Sequence, residues 1–165
     1  MESLREKAIE DLRRFGISGT QIYLIDLIPL IEIIWADGMV QAGELEILEN
    51  YLQTHVDHIN GVAGCRVLTL TDAKAFINRF LDQRPDPELL KCLRELVHPV
   101  RLSNSDAQTN RALKESLLST CLDIAASSVI RYPYGLGDRF NPAEKQCFFE
   151  IVESFMNLPP DKCTT

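Results

Sequence analysis

The chain has 165 residues, 45% of them hydrophobic and 25% charged, with a formal net charge of -7. That is enough chain for one domain with a buried core. The longest basic grouping is Arg13-Arg14, which excludes a duplex-binding footprint, since that needs clustered Lys and Arg against phosphates; the acidic balance suits solubility, divalent cations or basic partners.

Helix signals dominate in chain order. Ser3 with Glu6 forms a capping box for a first helix that ends near Phe15, with Gly16 as the stop. A second helix is expected from Ser18–Gln21 to Ala36. It is apolar nearly all round, from Ile22 through Ile25, Ile28 and Ile31 to Trp35, as befits a central helix, and Pro29 is expected to kink it. The third runs from Ala42 to Val56 with Ile47, Leu48, Tyr51 and Leu52 inward, and Asn60-Gly61-Val62-Ala63-Gly64 reads as a flexible turn. Thr69 or Thr71 caps a fourth helix through Leu81. Asp86-Pro87 opens a fifth, expected to close at His98-Pro99. Ser105 with Gln108 opens a long sixth helix to about Ile130. Asn141-Pro142-Ala143-Glu144 opens a seventh that buries Cys147, Phe148, Ile151, Val152 and Phe155 and stops at Pro159-Pro160. Residues 1–165 therefore read as a single all-α domain of seven helices, with the helices over 21–36 and 106–130 at its centre.

Cys65, Cys92, Cys121, Cys147 and Cys163 form no C-x-x-C pair, and an odd count reads as reduced thiols of a cytoplasmic protein. Met1 to Glu6 lacks the apolar run of a signal peptide. The stretch Ile22–Trp35 is too short for a span and is interrupted by Asp26, Pro29 and Glu32. At most a peripheral membrane association is expected.

One pattern occurs twice. Trp35-Ala36-Asp37-Gly38-Met39-Val40 leads through Glu44 into a helix, and one hundred residues later Tyr134 to Glu144 repeats the order of turn, Asp, hydrophobic residue, helix start and Glu. This divides the domain into related halves over roughly 18–60 and 105–158. A structural reading takes each corner as a rigid join between buried helices, with the glycine at its stop and the glutamate at the first amides of the next helix. A chemical reading takes Asp26, Glu32, Asp37, Glu44, Asp138 and Glu144 as carboxylates that hold a divalent cation (calcium, magnesium or zinc). Asp26 and Asp37 stand eleven residues apart, three near-whole helical turns, so both can share one face. Neither corner has the twelve-residue calcium-loop pattern, so such an ion would be held between helices.

The string Ile33-Ile34-Trp35-Ala36-Asp37-Gly38-Met39-Val40 followed by Glu44 resembles the signature of the TerB-like family, the tellurite-resistance B domain. The second corner matches at Asp138 and Glu144, with Arg139 at the glycine position and Tyr132–Gly137 lengthening the turn. The resemblance implies an all-helical fold of two pseudo-repeated halves. It also implies an association with tellurite or chemical stress, metal ions and membrane-associated complexes, without enzymatic activity.

Other candidates are weaker. His55 and His58 share a helix face near Cys65, a zinc-like set that lacks a further ligand. Gly135-Leu136-Gly137 follows no strand and lacks the third glycine of a dinucleotide loop. Tyr132, Tyr134 and Phe149 are candidates for an interaction surface toward a protein partner or a second copy; the tyrosines alternatively plug the bundle. No serine sits in a nucleophile elbow. The expected function is a non-catalytic interaction or cation-binding module; the alternative is a metal-dependent hydrolase built on Asp26, Glu32 and Asp37.

Overall fold

The most apolar stretch forms the centre of the molecule in two pieces. Gly19–Leu27 is a 3-10 segment and Ile28–Trp35 an α-helix, α2. Pro29 lies in the first turn of α2, where its missing N–H costs no helical bond, so it begins an α-helix here and does not kink one. Leu24, Ile25, Leu27, Ile28, Leu30, Ile31, Ile33 and Ile34 are all wholly buried. At roughly 1.5–3 kcal/mol for each large aliphatic side chain removed from water, this run supplies much of the drive to fold.

The computed structural model describes residues 4–36, 38, 40, 42–102, 106–127 and 142–156. Around the centre stand α1 (Leu4–Arg14), α3 (Ala42–Ala63), α4 (Leu70–Leu81), α5 (Pro87–Arg101), α6 (Ala107–Ser127) and α7 (Pro142–Met156). Among the described residues the protein is an all-α bundle of seven α-helices and one 3-10 segment, without strands. α2 packs on α6, α5 and α7, α1 packs on α5, and α3 packs on α6 and α4. Among the described residues no single helix is long and apolar enough to cross a membrane. One pair, α1 with the Gly19–Trp35 stretch, passes by length and composition but is bent by 93°.

Local chemistry sets the ends. Thr69 Oγ1 accepts from the Asp72 N–H (3.1 Å) and Asp86 Oδ1 from the Glu88 N–H (2.9 Å), so both expected caps form. At the start of α6, Asp106 accepts from the Gln108 N–H and the Thr109 hydroxyl; Ser3, Ser105 and Asn141 lie outside the described residues. α3 runs two turns beyond Val56. Its Asn60 amide donates to the Leu68 carbonyl and accepts from the N–H groups of Val67 and Leu68, clamping the next loop onto the helix. The stop comes at Gly64, whose φ of +73° is left-handed. α5 continues through His98-Pro99 to Arg101, with the Leu102 N–H bonded to the His98 carbonyl.

Candidate functional site

Two carboxylates are carried into the core by the central stretch, and α5 brings an arginine to each. Asp26 is wholly buried; Arg101 Nε donates to Asp26 Oδ1 and Oδ2 at 3.1 and 3.0 Å. Glu32 meets Arg94, whose guanidinium donates to Glu32 Oε2 at 3.0 Å. The register follows from helix geometry. Arg94 and Arg101 are two turns apart on α5, roughly 10 Å. Two steps at 3-10 rise and four at α rise separate Asp26 from Glu32 by a similar distance, about 10 Å. Residue 26 pairs with 101 and residue 32 with 94, the order expected of antiparallel neighbours.

Both oxygens of the Asp26 carboxylate are engaged, and a histidine adds to them. His55 Nε2 lies 2.8 Å from the Tyr23 carbonyl oxygen and 3.3 Å from Asp26 Oδ2. Both neighbours are acceptors, so the ring proton sits on Nε2. Tyr51 stacks on His55 with ring centroids 5.6 Å apart, and the Arg101 guanidinium lies 5.0 Å from the centre of the Tyr23 ring. Burial, reinforced by the Asp26 charge, pushes the Tyr51 hydroxyl above its ordinary range.

The Glu32 pair is open on one side. Glu32 Oε1 and Arg94 Nε are buried without a hydrogen-bond partner among the described residues. Burial pushes the Glu32 carboxyl up to about 8, against the opposing pull of Arg94 and with Glu150 and Glu95 adding to the rise. Glu150, half exposed on α7, approaches Arg94 at 3.9 Å. Beside this pair is a cleft of about 260 Å³. Its acids are Glu32, Glu88 and Glu150 and its bases Arg84 and Lys91, while Trp35, Pro85, Pro87 and Leu90 give it apolar walls. Trp35 is held by its indole N–H, which donates to the Phe80 carbonyl at 2.8 Å. Cys147 also lines the cleft, and burial, with the nearby Glu32 charge, pushes its thiol up to about 12. At neutral pH it is a thiol and not a nucleophilic thiolate.

The remaining sequence candidates are dispersed. Glu44 and Glu144 are each the third residue of their helix, α3 and α7, and each is wholly buried. Asp26 and Glu32 go to different arginines, and among the described residues no three His, Cys, Asp or Glu side chains gather as a cation site. His55 is buried while His58 and Cys65 are exposed, so that set does not converge. Phe149 is 53% exposed. Asp37, Asp138, Tyr132 and Tyr134 lie outside the described residues.

The sequence reading missed both arginines. Arg94 carried a legible signal, since Leu90, Leu93, Arg94 and Val97 occupy one helical stripe and all four are buried. A lone arginine in such a stripe needs a buried anion.

No protein-family model, curated protein or solved structure matches the chain.

Proposed function

We propose that this protein is a non-catalytic binding module whose working site is the cleft beside Glu32 and Arg94. The observation that carries the reading is the incomplete pair. A buried carboxyl and a buried guanidinium, each with a polar atom left unbonded, are costly to retain for stability alone. Glu32 lines an open, mixed-charge cleft, which gives that cost a use. The organisation in two TerB-like halves belongs to the same proposal. It is supported by the matching burial of Glu44 and Glu144 at the third position of their helices, and by Gly38 at the first corner, whose φ is +83° and whose N–H bonds the Trp35 carbonyl at 2.8 Å. Action within a stress-linked protein complex is the setting that the family resemblance implies.

The chain contains a single tryptophan, Trp35, in the wall of the cleft, so its emission reports on the site. A panel of small charged compounds together with calcium, magnesium and zinc is to be scored by melting temperature, which rises for any ligand of the folded state. Ligands that raise it are expected to shift Trp35 emission, and the Glu88→Phe change, which fills the cleft, is expected to abolish both effects. A ligand indifferent to that change, or phosphoester turnover on adding magnesium or manganese, overturns the reading.

A further inference from the structure

Helix α7 has one face in the bundle and one face open. Glu144, Ile151 and Phe155 are buried on the first. Phe149 falls on the opposite side of the helix and is 53% exposed, more than any other aromatic ring among the described residues. Four residues before it stands Lys145 and four after it Glu153, both exposed. Residues four apart lie one above the other on a helix, roughly 6 Å along its axis, so the three make a single stripe of cation, ring and anion. Neither Lys145 nor Glu153 has an ion pair or side-chain hydrogen bond among the described residues. Cys147 and Glu150, the α7 residues that line the cleft, lie about 160° and 100° around the helix from Phe149, so the stripe is separate from that site.

A stripe in that order is complementary to itself read backwards. A second α7 laid antiparallel across it, about a two-fold axis at Phe149, sets ring against ring and Lys145 of each copy against Glu153 of the other. A parallel pairing sets lysine on lysine and glutamate on glutamate, so charge selects the antiparallel one, and the helix dipoles agree. We propose that this face of α7 is a self-association surface on which a second copy of the chain docks antiparallel, with Phe149 at its centre and two Lys145–Glu153 pairs at its rim. Closed two-fold symmetry uses the one patch twice, and an aromatic centre within a charged edge is the usual build of a specific contact. A single helix face buries little area, so the dimer is a weak one. The inference stands apart from the cleft and from its ligand.

The test is sedimentation of the full chain from micromolar to millimolar concentration. The parent is expected to show a monomer–dimer equilibrium that weakens as salt screens the rim pairs. Phe149→Ala is expected to weaken it at least about tenfold, as truncation of a central interface aromatic does. Lys145→Glu and Glu153→Lys, each alone, put like charges at both rim contacts and are expected to weaken self-association about tenfold, the sum of several exposed-pair effects. Mixed together, the two charge variants are complementary at both contacts and are expected to associate about as tightly as the parent, a rescue that damage to the fold cannot produce. All three positions are exposed, so the fold is expected to hold, with circular dichroism as the check. A parent that stays monomeric throughout overturns the inference; if it then pellets with phosphatidylserine-containing vesicles and Phe149→Ala does not, the face belongs to a lipid surface. A dimer indifferent to Phe149→Ala also overturns it, and a mixture that associates no better than either charge variant alone overturns the antiparallel pairing.

Discussion

The two buried carboxyl–arginine pairs join the same two stretches of chain and differ in how completely they are satisfied. Around Asp26, one arginine donates to both carboxylate oxygens, a histidine N–H faces the same group, and aromatic rings cover the histidine and the guanidinium. Around Glu32, one arginine gives one hydrogen bond, two polar atoms are left over, and the third charged group stands half exposed at 3.9 Å. A carboxylate with both oxygens engaged fixes register: it locks the 3-10 segment to the end of α5. An unsaturated pair beside a cleft holds the central helix less firmly and keeps unspent hydrogen-bonding capacity. The comparison separates a carboxylate that builds the fold from one placed for recognition, although both looked alike as acids in an apolar run.

The largest effect is expected at the closed pair. Arg101→Ala leaves the Asp26 carboxylate wholly buried with only His55 beside it, which costs about 3–5 kcal/mol. Urea unfolding measures it. A loss under about 1 kcal/mol, the scale of an exposed ion pair, erases the distinction between the two pairs.

The open pair is expected to announce itself through pH. Glu32 titrates near 4.5 when unfolded and at about 8 when folded. Between those values the folded state holds a proton that the unfolded state has released. The favourable contribution is therefore complete below about 4.5 and is lost as pH rises to about 8, by an amount on the order of a few kcal/mol. Glu32→Gln keeps an acceptor for Arg94 and cannot titrate, so its stability is expected to lack this decline. Urea midpoints at several pH values across the window provide the check; parallel curves for parent and variant refute the raised carboxyl.

These contrasts also mark what was legible in the sequence. The seven helices followed from apolar period, and the caps at Thr69 and Asp86 from capping residues that act on amides only a few positions away. The 3-10 segment was invisible. Gly19–Leu27 is apolar on nearly every side, and without a polar face no period separates a three-residue turn from a 3.6-residue one. The extension of α3 past Asn60-Gly61 depends on a side-chain clamp to Val67 and Leu68, contacts that local propensity does not encode. Glu32 was recognised as a buried carboxylate, but its partner was not. Pairing 32 with 94 and 26 with 101 requires the register of two helices more than sixty residues apart, which emerges only on packing.

The third member of each cluster gives the next comparison. His55 is buried and its Nε2–H bonds the Tyr23 carbonyl, so His55→Ala strands that acceptor, opens space beneath Tyr51 and is expected to cost about 1–3 kcal/mol in urea unfolding. An unaltered midpoint shows the histidine to be incidental to the closed pair.

Glu150 is expected to give the smallest effect on stability, and for that reason it discriminates most sharply between building and binding. Its side chain is 51% exposed and 3.9 Å from Arg94, beyond hydrogen-bonding distance and open to screening by water and salt. Glu150→Gln keeps nearly the same volume and removes one charge from the rim, so its change in unfolding free energy is expected to stay within about 0.5 kcal/mol. The same substitution removes one of the three acids that line the cleft. If the open pair is kept for recognition, thermal and urea stability stay level while the Trp35 emission response to a ligand of the cleft weakens. If instead the variant loses stability on the scale of His55→Ala, Glu150 is a structural member of a second closed cluster, and the two pairs differ in geometry without differing in purpose.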